Sequence, residues 1–268
     1  MDRDAVLRAY DEQVRRSMEP PQPGWRAELA SEGRVLRVVA PPDQEWGNFV
    51  IWSDVDDSDA DAVIEEQVGY FRELGRPFEW KWFGYDRPDD LRVRLEAAGL
   101  QPAADESLVV GQVDEVVDAC AAGLVVEGIT LRHVRTDDLD ADLAGIVALN
   151  QKVWGEDLTW LMDELRQGLT HSPDDLRIHV AEVGGEIVCA AWVRFHQGTE
   201  FASLWGGSTL PQWRRKGIYR ALVGRRAVQA RDRGFRYLQV DASDDSKPTL
   251  QRMGLRQLTT TAPFRWKP

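Results

Sequence analysis

The chemistry-bearing residues of this chain concentrate in one run, Thr209-Leu210-Pro211-Gln212-Trp213-Arg214-Arg215-Lys216-Gly217-Ile218-Tyr219-Arg220-Ala221-Leu222. It reads as a strand end, a short basic loop and a helix start. Pro211 lacks an N–H and stops the strand ladder. Gly217 allows the backbone to approach a ligand without a Cβ in the way. The helix that follows begins with unpaired N–H groups and the positive end of its dipole, which together favour an anion. Three consecutive cations, Arg214, Arg215 and Lys216, sit at the same spot. A pyrophosphate suits such a cradle; the competing structural reading is a basic surface turn that ends in a helix.

The bulk composition frames this site. The chain has 268 residues, 43% apolar, with 11 Trp, enough for two small cores. No run approaches the ~18 apolar residues of a membrane span. The start, Met1-Asp2-Arg3-Asp4, lacks the apolar region of a signal peptide, so a cytoplasmic location and no membrane partner are expected. Cys120 and Cys189 stand far apart and read as buried reduced thiols. The four His have no paired spacing, so no metal is expected.

The net charge of −12 is uneven. Residues 1–125 carry 27 acids against 13 Lys and Arg, whereas residues 126–268 carry 18 against 20. Nine basic residues and one acid, Asp232, fall between Arg214 and Arg236. The acidic half disfavours nucleic acid as a partner, while the basic element suits an anionic cofactor.

A faint internal repeat organises the chain. Phe71–Trp82 and Ala230–Val240 each read as a helix end closed by glycine (Gly75, Gly234) and then an alternating strand. Asp89–Leu100 and Asp244–Leu255 each read as an acid-started helix closed by Gly and an apolar residue. Two copies of one unit suggest two domains of one fold. In the first copy the strand Asn48–Ser53 runs into Asp54–Asp61, which is acidic and has no glycine, so no anion cradle can form there. A linker is expected within Gln112–Gly128.

In the second half, residues 129–135 read as a strand, 137–154 and 158–169 as helices, and 177–182 and 186–195 as strands joined by Val183-Gly184-Gly185. Then come a strand at 200–208, the loop, a helix at 218–233, a strand at 235–242, a helix at 247–253 and a strand at 258–266. Gly206 and Gly207 interrupt the strand before the loop and mark a bulge, a ligand's close approach, or both.

Arg214-x-x-Gly217-x-Tyr219 after a strand ending in Pro211 resembles the acyl-CoA pyrophosphate loop of the GNAT superfamily of N-acyltransferases. Tyr219 stands where Gly or Ala is usual. The order of elements over 129–268 is similar to that of a GNAT domain. The whole chain resembles the tandem form with a degenerate N-terminal half. That resemblance implies a mixed α/β fold of two tandem GNAT-like domains, each a mostly antiparallel twisted sheet flanked by helices. Residues 1–120 would be the domain without a cofactor loop, and 126–268 the acyl-CoA-binding catalytic domain.

The resemblance further implies transfer of an acetyl group from acetyl-CoA to a primary amine, small or on a protein, by direct attack in a ternary complex. The backbone of Ser208, Thr209 and Leu210 would meet pantetheine. Arg214, Arg215, Lys216, Gly217, Ile218 and Tyr219 would take the pyrophosphate. Ser243 falls where an Asn is usual. The usual place of the general base holds Ser203; Glu200 and Asp241 are the candidates instead, with Glu156 and Asp157 as alternatives. The usual Tyr acid is replaced by Leu250, which leaves Ser246, otherwise a helix cap, and Tyr219. Trp154, Trp160 and Trp205 either line an amine pocket, where an aromatic wall favours cations, or belong to the core. Other readings are a non-catalytic acyl-CoA-binding or sensing module, and a scaffold whose basic helix binds an acidic partner. A monomer or homodimer is expected.

Overall fold

Short alternating segments cut by turns, and apolar stripes at helical spacing, set the elements. The computed structural model describes residues 1–18, 20, 24–42, 44 and 47–268. In chain order the elements are α1 (Arg3–Tyr10, continued by a π-turn at Asp11–Arg15), β1 (Arg26–Ala30), β2 (Val35–Val39), β3 (Phe49–Ser53), α2 (Ala60–Glu73), β4 (Phe78–Phe83), α3 (Leu91–Ala97), β5 (Gln101–Pro102), β6 (Glu106–Gln112) and α4 (Val113–Cys120). They continue as β7 (Thr130–His133), α5 (Leu139–Trp154), α6 (Trp160–His171), β8 (Leu176–Val183), β9 (Glu186–Phe195), β10 (Phe201–Thr209), α7 (Ile218–Asp232), β11 (Tyr237–Ala242), α8 (Lys247–Gln251) and β12 (Arg256–Trp266). The fold is mixed α/β, with mostly antiparallel strands flanked by helices.

Two compact units form. The first comprises Met1–Leu108, Asp241–Lys247 and Gln257–Pro268; the second comprises Val109–Val240 and Pro248–Arg256. In the first unit β1, β2 and β3 pair antiparallel, β3 and β4 pair parallel, and β4 pairs antiparallel with β12. Its core holds Phe71 stacked on Phe78, with ring centroids 4.5 Å apart, together with Trp80, Leu91, Leu95 and Phe264.

In the second unit β7, β8, β9 and β10 pair antiparallel in chain order, and β10 pairs parallel with β11. Helices α5 and α6 place Leu143, Ile146 and Leu165 in one core with Ile178, Val180 and Trp192 of the strands. The expected repeat is present as a β-helix-β unit with parallel strands: β3-α2-β4 in the first unit, β10-α7-β11 in the second. Gly75 and Gly234 follow the two helices at φ +65° and +83°.

The division into units differs from a cut at residues 120–126. The expected linker carries α4, whose Val113, Val116, Val117 and Cys120 are all buried. Their spacing of i, i+3, i+4, i+7 is that of an amphipathic helix, and the small residues after it masked the signal. Tail strand β12, read as closing the C-terminal half, supplies Ala262, Phe264 and Trp266 to the first unit's core. Alternation identifies a strand but not its partner.

One buried charge fastens β7 to α5. The Asp142 carboxylate, 1% exposed, accepts two bonds from the Arg132 guanidinium at 2.6 and 2.9 Å. It takes two more from Arg135, at 2.7 Å from the backbone N–H and 2.8 Å from the side chain. Burial acts to raise its pKa, but the Arg132 and Arg135 bonds outweigh this and hold it below the usual carboxylate range. Because the folded pKa is depressed, this stabilisation is present above the unfolded value of about 3.9 and is lost as pH falls through the folded value. Asp142→Asn is therefore expected to cost about 3–5 kcal/mol at pH 7. Urea melts at descending pH check this: the gap to the unsubstituted protein should narrow only below about pH 4.

Candidate active site

Strand β10 and helix α7 carry the basic loop between them. β10 ends at Thr209, paired with Cys189, and the Leu210 N–H donates to Val188 O at 3.0 Å. Pro211–Trp213 forms one 3-10 turn. Arg214 is extended, Arg215 has φ +61°, and Gly217 sits at φ +82° with no atom within 4 Å of where a Cβ would stand. Helix α7 then starts at Ile218 without any side-chain cap. Its first N–H groups are left for a ligand or water.

The nine cations of this region divide by partner. Arg220, Arg225, Arg226 and Arg233 donate to backbone carbonyls of Ala119, Leu131, Trp192 and Asp174. Arg231 and Arg236 pair with Asp232 and Glu200. Arg214, Arg215 and Lys216 remain exposed, and among the described residues no carboxylate pairs with them. Arg214 donates to Thr209 O at 3.1 Å, and the Lys216 ammonium lies 4.3 Å over the Trp213 ring. Three cations in succession thus stand exposed at the helix start with no acid beside them.

The strand leading to the loop opens away from its parallel neighbour. Pairing of β10 with β11 covers Phe201↔Tyr237, Ala202↔Leu238 and Ser203↔Gln239, while β10 runs on to Thr209. A register shift lies between Trp205 and Ser208. Gly206 there has φ +65°, and a Cβ on it would lie 1.9 Å from a Trp192 ring carbon. A Cβ on Gly207 would lie 2.5 Å from the Tyr219 ring. The two glycines thus form the bulge, and the second makes room for the bulky residue of the loop.

Side chains of the expected pantetheine contacts point inward. Ser208, 1% exposed, donates to Asn150 Oδ1 at 2.6 Å and accepts the Trp154 indole N–H at 2.9 Å. Thr209 Oγ1 lies 3.1 Å from Cys189 Sγ, while Leu210 and Ile218 are buried in the core. These residues can offer a ligand only backbone groups. Cys120 and Cys189 are free and buried; burial raises both thiols, Cys189 to about 11.

Tyr219 is half-buried between Gly207 and Arg226. Burial raises its hydroxyl pKa, with Arg226 acting in the other direction. Arg226 is 1% exposed and donates to Leu222 O, Trp192 O and Trp205 O. Sequence reasoning missed its role because one more cation in a basic helix carries no local mark.

Glu200 and Asp241, the two leading candidate bases, are engaged elsewhere. Glu200 precedes β10, at the end remote from the loop, and pairs with Arg236 at 3.1 Å. A nine-residue strand separates it from the loop, roughly 30 Å at strand rise. Ser203 accepts the Trp205 indole N–H at 2.7 Å and lies 2.9 Å from His196 Nε2. Burial lowers His196 to about 4, so the ring is neutral at pH 7. Glu156 and Asp157 are exposed on the loop between α5 and α6, where Asp157 accepts from the Thr159 N–H at 3.0 Å. Asp241, Ser243 and Ser246 belong to the first unit. There Asp241 pairs with Lys81 at 3.3 Å and accepts from Thr261 at 3.1 Å. Ser243 and Ser246 bond each other at 3.2 Å in the turn that begins α8.

Trp154, Trp160 and Trp205, weighed as core or pocket residues, are 59%, 54% and 49% exposed. They are surface residues of the second unit.

Residues 143–255 match the acetyltransferase (GNAT) family. Among solved structures, the chain is similar to a GCN5-related N-acetyltransferase from Kribbella flavida, with TM-score 0.64 and 15% identity over 99% of this chain and 94% of that one. A tandem GNAT protein from the clavulanic acid biosynthesis pathway gives 0.64 and 14% over 93% and 85%. A functionally unknown conserved protein from Staphylococcus epidermidis gives 0.65 and 15% over 90% and 94%. At these identities the likeness is one of fold. No curated protein matches the chain.

Proposed function

Because residues 143–255 match the acetyltransferase (GNAT) family, we propose that this chain is an N-acyltransferase that moves an acetyl group from acetyl-CoA to a primary amine by direct attack in a ternary complex. One observation carries the reading: the exposed cations Arg214, Arg215 and Lys216, unpaired with any described carboxylate, stand at the uncapped start of α7. A diphosphate there meets free N–H groups, the helix dipole and three positive charges together. Arg214, Arg215, Lys216 and the amides from Gly217 to Tyr219 would hold it. The backbone of Ser208, Thr209 and Leu210 would run beside the pantetheine arm, past the point where β11 pairing ends. The acceptor is a small-molecule or protein amine, and the first unit, with no cofactor loop, serves a structural role.

A second reading is an acyl-CoA-binding module without turnover. It is favoured by Leu250, fully buried where the family's usual acid stands, and by Ser203 in the usual place of the base. Calorimetric titration with acetyl-CoA, followed by thiol release across an amine panel, separates the cases. Saturable binding with amine-dependent release of CoA is expected. Binding without transfer to any amine would support the second reading, and no binding at all would remove both.

A further inference from the structure

Two of the exposed tryptophans are fixed in place, which goes beyond mere exposure. The Trp154 indole N–H is held by Ser208 Oγ, itself tied to Asn150, whose amide donates to Ile146 O at 2.8 Å. The Trp205 N–H is held by Ser203 Oγ, itself bonded to His196. Both N–H edges are therefore consumed, and the half-exposed surface that each ring offers is its aromatic carbon. The bulge brings them to one side of the sheet. Ser203, Trp205 and Ser208 pair with Arg194, Trp192 and Ala190, which alternate by two along β9 and so share a face. Trp160 opens α6 at the far end of the short loop that Trp154 begins.

Acids dominate the chain that follows Trp154. Residues 154–164 contain Glu156, Asp157, Asp163 and Glu164 and no Lys or Arg. Arg194, the cation on this stretch of β9, is neutralised by Glu164. Thr159 bonds hold the Asp157 carboxyl below the usual range, so it stays ionised. An indole face carries negative quadrupole potential, and anionic neighbours reinforce its preference for a cation over a neutral apolar group.

We propose that the acceptor amine carries a second, non-reacting cationic group, seated against the faces of Trp154 and Trp205 beside the acidic loop between α5 and α6. This rests on the acetyl-transfer reading for the reacting amine, but the recognition it describes is a binding property that can be read without turnover. Which amine reacts is decided by protonation: the attacking nitrogen must be neutral, whereas the seated one stays charged.

A matched pair tests it. 4-Aminobutyl(trimethyl)ammonium and its neutral isostere 5,5-dimethylhexylamine differ in the charge of one centre. Each is titrated calorimetrically into the full-length protein, with and without saturating acetyl-CoA. The cationic probe is expected to bind about tenfold more tightly. That ratio should fall towards one in Trp205→Leu and in Trp154→Leu, with folding checked by thermal melting. Trp160→Leu, at an exposed helix start, provides a third reading if either variant melts early. Equal or tighter binding of the neutral isostere would overturn the proposal, as would a tenfold preference that survives all three substitutions. Tighter binding of 2-phenylethylamine than of the cationic probe would point to an aromatic acceptor and also overturn it. Failure of acetyl-CoA to bind would instead count against the transfer reading, and the amine pair would still report on the tryptophans.

Discussion

Gly217→Asp is expected to weaken acetyl-CoA binding at least ~100-fold, about 2.7 kcal/mol, while the protein stays folded. Space is not the issue, since nothing lies within 4 Å of the added Cβ. The backbone is at φ +82°, where a residue with a Cβ costs about 1–2 kcal/mol, less for Asp than for most because Asp tolerates this region. Against this, a carboxylate at an uncapped helix start beside three cations stabilises the native state by about 0.3–1 kcal/mol. The two nearly cancel, so the melting temperature should move little. For the ligand the terms add. The new carboxylate occupies the anion site and repels a diphosphate, and a unit-charge pair ~4 Å apart near a protein surface is worth about 4 kcal/mol. Gly217→Ala is the control, with the strain but not the charge. Calorimetry of both variants decides: if the Asp variant binds acetyl-CoA like the parent, the nucleotide lies elsewhere.

The two halves of the chain show why the loop chemistry, more than the fold, selects the nucleotide. Both contain a strand, a helix and a parallel strand in sequence. In the first unit the connection into the helix is closed by its own anions. Asp56 accepts from Ser58 N and Oγ at 2.8 and 2.6 Å, Asp59 accepts from the Asp56 N–H at 2.9 Å, and Asp59 pairs with Arg34. These carboxylates crowd the loop before α2 and would repel a phosphate there. In the second unit the corresponding loop holds three cations, and neither helix start has a side-chain cap. One architecture thus presents opposite potentials at equivalent helix starts.

Much of this was legible in the residues because it is local. The run of Pro211, the cations and Gly217 marked the strand end, the turn and the start of α7. The alternation of β8 and β9 and the stripe of α7 located their elements to within a few residues. What stayed hidden depends on distant partners. β12 reads the same whichever strand it joins, and only the fold assigns it to β4. Glu200 and Asp241 are plausible bases as residue types, yet Arg236 and Lys81 engage them. Tryptophans are usually buried on average, so the exposure of Trp154 and Trp205 had no sequence mark, and their serine anchors lie 54 and 2 residues away. Tyr219 looked too bulky for its place because its accommodation depends on Gly207 of another element.

Gly206→Ala should destabilise the protein by about 3 kcal/mol and weaken acetyl-CoA binding with it. A Cβ at this position would lie 1.9, 2.1 and 2.3 Å from three carbons of the Trp192 ring, far inside van der Waals contact. Trp192 is 5% exposed and packed in the core, so its ring cannot swing aside into solvent. Overpacking of this kind costs about 1–3 kcal/mol or more, and φ +65° adds about 1–2 kcal/mol of backbone strain. At about 2–4 °C per kcal/mol for a chain of this size, the melting temperature should drop by roughly 6–12 °C. The binding loss follows from register. The bulge sets Ser208 opposite Ala190 and Thr209 opposite Cys189, and a one-residue slip would turn each side chain of β10's end to the other face, carrying the loop with it. Trp192→Leu frees the space the new methyl needs, so the double variant should be more stable than the sum of the single effects by over ~1 kcal/mol. Denaturant melts of the four proteins, with acetyl-CoA titrations alongside, complete the cycle; additive effects, or a Gly206→Ala protein that melts and binds like the parent, would mean that Trp192 does not pack over this glycine.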